Sequence, residues 1–362
     1  MILTTAMLTI ALANPIPENT TSELDSQHDE NIGHINAEAP NYIINGYEAS
    51  AENFPMTGGM LMRGKILSYP LEMFVCSSTL IAPDTVLLAA HCLDTYAIAW
   101  GMEIEDLEIY WTRQENLSNW DGTQQAPELP SDAILAVDWV IHEDFNIETL
   151  QIGLSENSDI ALLFLSEPIL DIEPAYLPTA AEADSITEGD QVFVVGWGQQ
   201  IATGPQEAPP AGTYAIKQQG ESHISLLETY EFKVGEEIDD VRKCHGDSGG
   251  PSFWEADDGL RLIGVTSHAY DNTDCFQTGG VDTRIDYYFD WIEENMQSKC
   301  DDGTRVWCDE AGIPAPDYFS KQDDEEEDEE EDKGLFSCAT ASSDLIYYLP
   351  LIGFLGLSRR RE

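Results

Sequence analysis

Basic residues are scarce in this chain. Its 362 residues include 16 lysines and arginines against 68 aspartates and glutamates, a formal net charge of −52 at pH 7. A field of that sign repels phosphate backbones and anionic lipid surfaces, so nucleic acid and membrane-surface binding are set aside. It also keeps a protein soluble where salt screens the self-repulsion, and both an acidic secreted protein and adaptation to a saline habitat fit it. No His-Glu-x-x-His or Cys-x-x-Cys metal spacing occurs, and the serine chemistry read below requires no metal and no cofactor. His28, His34, His142, His223, His245 and His268 then read as surface or packing residues. Long hydrophobic runs are missing too. The apolar stretch near the C-terminus, Leu345–Leu357, has 13 residues, short of the ~20 that a spanning helix needs.

Between residues 43 and 298, short apolar and β-branched runs alternate with Gly, Pro, Asn and Asp. Examples are Thr79–Ile81, Val86–Ala90, Ile134–Ile141, Ile160–Leu165, Gln191–Val195 and Leu262–Thr266. This pattern predicts an all-β fold built as a sandwich or barrel. From Tyr287 to Gln297 the spacing of Phe289, Ile292 and Met296 predicts a helix.

The chemistry centres on Cys244-His245-Gly246-Asp247-Ser248-Gly249-Gly250-Pro251. A serine hydroxyl is a weak nucleophile; it needs a base for its proton and backbone N–H groups aimed at the oxyanion that forms. Glycines let the backbone turn tightly enough to aim them. Such a stretch alone also fits an ordinary glycine-rich loop. Elsewhere Ala89-Ala90-His91-Cys92 supplies a histidine after the apolar run Val86-Leu87-Leu88, and Ser158-Asp159-Ile160 supplies an acid at the mouth of another. The order is His, Asp, Ser.

With Ile43-Ile44-Asn45-Gly46, Gly196-Trp197-Gly198, Gly264-Val265-Thr266-Ser267 and Asp290-Trp291-Ile292, these motifs make residues 43–298 resemble the trypsin/chymotrypsin family of serine proteases, in register throughout. The resemblance implies two six-stranded β-barrels with a C-terminal helix. The active site would lie in the cleft, with His91 and Asp159 from the first barrel and Ser248 from the second. Ser248 would be the nucleophile, His91 the general base and Asp159 the group that orients it. The N–H groups of Gly246 and Ser248 would form the oxyanion hole. Ser267 would border Asp159 and line the substrate strand. Protein or peptide substrates follow. A protease-like binding module without activity is the alternative, although no triad member is missing.

The resemblance also implies a precursor cut before Ile43, whose new amine pairs with Asp247. The residue before that bond is Tyr42, where trypsin-activated relatives carry Lys or Arg, so a different activating protease is implied. In the pocket for the residue preceding the scissile bond, Arg242 stands where trypsin-like enzymes place an aspartate. Either Arg242 faces the pocket and recruits acidic residues, or Asp282, after Gly280 on the far wall, neutralises it; the pair is favoured, because a lone buried arginine cannot shed its charge. Neither suits Lys or Arg substrates. Ala269 would narrow the entrance.

Seven cysteines occur, and spacing alone leaves their connectivity open. The resemblance suggests Cys76–Cys92 and Cys244–Cys275, with Cys300–Cys308 as a local loop outside the family pattern. Bridges imply an oxidising compartment.

The remaining segments complete the layout. Residues 1–13 read as a signal peptide and 14–42 as a polar, disordered propeptide. The protease domain spans 43–298. An acidic linker, 299–337, carries ten consecutive acidic residues from Asp323 to Asp332; it reads as a solvated spacer, with calcium binding as a second possibility. The tail, 338–362, joins Cys338, a short hydrophobic segment that would form a helix, and Arg359-Arg360-Arg361. It resembles bacterial sorting tails, which implies secretion to the cell surface of a bacterial envelope and a tail-processing enzyme. A plain membrane anchor is the other reading.

Overall fold

The computed structural model describes residues 43–122, 127–150, 152–201, 209–210, 212–271 and 279–308. The expected signal peptide, propeptide, acidic run and C-terminal tail lie outside the described residues, as do Cys275 and Cys338.

After a two-residue strand β1 (Tyr47–Glu48), six strands make the first barrel: β2 (Thr57–Ile66), β3 (Tyr69–Ala82), β4 (Thr85–Leu88), β5 (Glu105–Thr112), β6 (Ile134–Ile141) and β7 (Ala161–Leu165). They close in the order β2-β3-β4-β7-β6-β5, antiparallel throughout. The second barrel comprises β8 (Gln191–Gly196), β9 (Gln218–Leu227), β10 (Glu231–Val234), β11 (Pro251–Ala256), β12 (Gly259–Ala269) and β13 (Gly280–Arg284). Its order is β9-β10-β13-β12-β11-β8, closed by pairing of β8 with β9, while β1 adds to the outside of β9. Closure removes the open edges that an isolated sheet would expose.

Much of the core comes from the runs that the sequence marks as strands, joined by Met60, Leu61 and Met62 of β2. Val86, Leu87 and Leu88 on β4 and Ala161–Leu165 on β7 are wholly buried in the first barrel. Each of the valine, leucine and phenylalanine side chains among them contributes roughly 1.5–3 kcal/mol on leaving water. In β8 the alternation is clean: Val192 and Val194 face a cluster with Ile224, Phe232, Val234 and Ile263 inside the second barrel. Phe193 points the other way, where Phe54 and Phe253 pack against it or each other.

The helix expected from Tyr287 is α3, Phe289–Asp301, following the short helices α1 (Thr95–Ala99) and α2 (Ala180–Ala183). Its buried residues Ile292 and Met296 join the cluster that contains the β4 and β7 side chains. The chain then docks rather than drifting away. The Arg305 guanidinium donates to Asp84 Oδ1 through Nε (3.0 Å) and Nη2 (2.8 Å), with both side chains wholly buried. Asp84 Oδ2 accepts from the backbone N–H groups of Val306 and Trp307, each at 2.9 Å. The Cys300–Cys308 disulfide closes this short loop. The first ten residues of the segment read as a linker thus form a built extension of the first barrel.

Candidate active site

His91 sits in a short 3-10 turn, Ala90–Cys92, which starts two residues after β4 ends. The Cys76–Cys92 disulfide ties that turn to β3. Asp159 lies just before β7, after Ser158, whose φ of 50° turns the chain sharply. Because β4 pairs with β7, the two residues meet: Leu88 opposes Ala161 in the ladder. His91 Nδ1 is 2.7 Å from Asp159 Oδ2, and the His91 backbone N–H donates to Asp159 Oδ1 at 2.9 Å. A carboxylate only accepts, so Nδ1 carries a proton and Nε2 faces away from the acid.

Asp159 is wholly buried. The Ser267 hydroxyl, from β12, donates to its Oδ2 at 2.5 Å. Burial pushes the Asp159 carboxyl up, but His91 and Ser267 outweigh this and hold it below its ordinary value. For His91, burial opposes the charged form, and the Asp159 charge and hydrogen bond more than reverse it, so its pKa is raised.

Ser248 arrives from the second barrel. The N–H of Gly249 donates to Thr266 O at 2.8 Å, and that of Gly250 to Asp247 O at 2.8 Å. A Cβ added at Gly249 would lie 3.2 Å from the backbone nitrogen of Ala89. The serine loop is thus pressed against the strand end that carries His91. Gly246 has φ of +95°, a conformation open to glycine and costly for other residues. Its neighbour Asp247 is buried, accepting from the N–H groups of Gly198 and Cys244, both at 2.8 Å. A side chain at Gly198 would collide with that carboxylate. Burial raises the Asp247 pKa to about 6. Ile43 is wholly buried, and Ile44 forms a β-bridge with Arg242.

The expected partner of Arg242 is corrected. Both oxygens of Asp282 are taken by Lys243 Nζ, at 2.9 and 2.6 Å, and a third contact joins Nζ to Ser252 Oγ at 2.8 Å. Arg242 instead donates through Nη2 to Ile238 O at 3.1 Å. The reason is local geometry: successive residues of an extended chain point to opposite sides, so the inward side chain is Lys243. Gly280 stands beside this lysine, its virtual Cβ 3.5 Å from Lys243 Cβ. Ala269 ends β12 and is half-buried.

Two further residues carry no sequence signal. Glu231, in the short buried strand β10, accepts from Ser155 N–H (2.8 Å) and Asn157 Nδ2 (3.0 Å). Burial raises its pKa to about 7. His268 lies 3.9 Å from it, with Nδ1 3.0 Å from Ser267 Oγ and Nε2 donating to Gly153 O at 3.0 Å. The expected Cys76–Cys92 and Cys300–Cys308 bridges are present. Cys244 is also disulfide-bonded, and its expected partner Cys275 falls outside the described residues. Cys76, His91 and Cys92 cluster closely enough to suggest metal ligation, yet both sulfurs belong to the disulfide and offer no thiolate.

The model of the family described as "Trypsin" matches residues 43–292. Mouse kallikrein-11 is 27% identical over 274 residues, covering 74% of this chain and 86% of its own. Bovine chymotrypsin-C is 30% identical over 241 residues, covering 61% and 78%. The chymotrypsin-like elastase family member 3B of Macaca mulatta is 30% identical over 244 residues, covering 62% and 82%.

Proposed function

The chain belongs to the trypsin family of serine proteases, and from that premise we propose that it is an endopeptidase whose nucleophile is Ser248 and whose target bonds follow uncharged residues. The observation that carries the reading is the hydrogen-bonded series Ser267–Asp159–His91 beside the glycine-flanked Ser248 loop.

His91 takes the Ser248 proton through Nε2 as the serine oxygen attacks a peptide carbonyl. It then gives that proton to the leaving amine. Asp159 holds the tautomer and stabilises the imidazolium, with Ser267 keeping its carboxylate in place. The N–H groups of Gly246 and Ser248 receive the oxyanion.

Specificity follows from how the two basic residues near the pocket are used. Lys243 has three N–H donors and three acceptors around them, so it presents its aliphatic stem and no free charge. Arg242 is turned toward Ile238 O. Among the described residues, a substrate lysine or arginine would meet no open carboxylate at Asp282, and a substrate glutamate no open cation at Lys243. Gly280 and Ala269 remain as small wall residues for an uncharged side chain.

The enzyme is made as a precursor and cut before Ile43 by a protease that accepts Tyr42. The buried Asp247 then receives the new ammonium. The leader at 1–13 and the disulfides support secretion. Among the described residues no helix is long and apolar enough to cross a membrane. The Cys338 tail supports sorting to the surface of a bacterial envelope, with removal by a processing enzyme.

The test is labelling of the cut protein with a fluorophosphonate, followed by peptide mapping and by profiling on a peptide library. Modification of Ser248 and cleavage after uncharged residues are expected. An unlabelled, inert protein would leave a binding module.

A further inference from the structure

Gly246 is held in place by more than its own loop. With φ of +95°, a glycine places few limits on the peptide groups flanking it, so their directions must be set from outside. The peptide on its N-terminal side carries the N–H assigned to the oxyanion. Its carbonyl, that of His245, accepts from Gln199 N–H at 2.8 Å. In a trans peptide the C=O and N–H point in opposite directions, so this bond aims the Gly246 N–H away from the 197–199 segment. The peptide on the C-terminal side carries the Gly246 carbonyl, and here a side chain from the other barrel intervenes.

Ser77 follows the half-cystine Cys76 on β3 and is wholly buried. Its hydroxyl is 2.9 Å from Gly246 O and 3.0 Å from Trp197 N. The backbone N–H of Ser77 reaches the same carbonyl at 3.2 Å. Proton directions are fixed by the partners. Trp197 N–H can only donate, and a carbonyl can only accept, so the hydroxyl accepts from Trp197 and donates to Gly246. One oxygen from the first barrel therefore joins two segments of the second.

We infer that Ser77 is a positioning residue for the oxyanion hole, its hydroxyl locking the Gly246 carbonyl so that the preceding N–H stays aimed at the reacting oxygen. Ser77 touches no substrate atom. The inference rests on the assignment of Ser248 and Gly246 above.

Two ligands of one peptide sequence test it: a trifluoromethyl ketone and the corresponding alcohol. Ser248 Oγ adds to the ketone carbon, its proton passes to His91, and the former carbonyl oxygen becomes an oxyanion. The alcohol cannot form that adduct. In Ser77→Ala we expect kcat/KM to fall about 10- to 100-fold, less than the loss of an oxyanion donor itself. The ketone should weaken by the same factor, while KM and alcohol affinity stay within about twofold. Ketone affinity unchanged from wild type, or a parallel loss for ketone and alcohol, would overturn the inference. Should Ser77→Ala fail to fold, Ser77→Gly is measured with the same pair. A wild-type enzyme that binds ketone and alcohol equally would refute the Ser248 assignment instead.

Discussion

Lys243 and Asp282 form a closed ion pair, with Nζ 2.6 Å from Oδ2 and both side chains out of reach of solvent. Two buried charges are costly apart and tolerable together, so removing one exposes the other's chemistry. Asp282→Asn should leave the Lys243 ammonium short of its counter-charge and create a preference for acidic residues before the cut bond. Lys243→Met should keep the uncharged preference only if Asp282→Asn accompanies it; alone it strands a carboxylate. Library profiling of the three variants checks this. Efficient cleavage after lysine or arginine by wild type would refute the neutral pocket.

With His91 as the proposed general base, the acid side of the kcat/KM profile is expected to follow its protonation. Its imidazole must be neutral to accept the serine proton, and its pKa is raised above the ordinary 6.5. Activity is therefore expected to fall as pH drops through a midpoint above 6.5. Asp159→Asn removes the charge that raises it, and should cut kcat by about 10⁴. A wild-type midpoint well below 6.5 would mean that Asp159 does not raise the His91 pKa.

Cutting before Ile43 should change how stability responds to acid. In the uncut chain Asp247 has a folded pKa of about 6 against an ordinary 3.8. The fold then binds more protons than the unfolded chain between those values. Stability should decline as pH rises through that window, at up to about 1.4 kcal/mol per unit. A new ammonium beside Asp247 would lower its pKa and flatten the slope. Glu231, raised to about 7, adds the same sign of slope to both forms and cancels in the comparison. Denaturant melts of Ser248→Ala protein, cut and uncut, decide the point; identical slopes would remove Asp247 as the partner.

Ser248→Ala itself should retain the melting temperature of wild type and lose turnover by about 10⁶. Near-normal cleavage by this variant would reassign the nucleophile.

The Asp84–Arg305 contact gives the segment after α3 a structural role. Asp84→Ala leaves a buried guanidinium and two backbone N–H groups short of acceptors. We expect a loss of about 3–5 kcal/mol, read by thermal or urea unfolding, with kcat unchanged. A change below about 1 kcal/mol would show the dock to be incidental.

The fold was readable because strand runs, turn residues and the catalytic motifs agreed about one architecture. Ile134–Ile141 matches β6 end to end, whereas β2, with its Gly58, Gly59 and Gly64, shows no plain alternation and is visible only through its pairing. Choosing between Arg242 and Lys243 as the partner of Asp282 needed the direction of one side chain, and adjacent residues in an extended segment differ by half a turn. Ser77 and the Asp84–Arg305 pair were invisible for another reason. Their partners lie 169 and 221 positions away, and no local pattern encodes such a meeting.

Dividing the proposed catalytic groups between two barrels has a consequence for the enzyme's own lifetime. His91 and Asp159 belong to one barrel, Ser248 and Ser267 to the other. With these roles, proteolysis reports on their docking: a molecule whose barrels have parted cannot cut, even where each barrel keeps its strands. A partly opened copy is then a substrate and no longer a protease, since becoming prey also disarms the hunter.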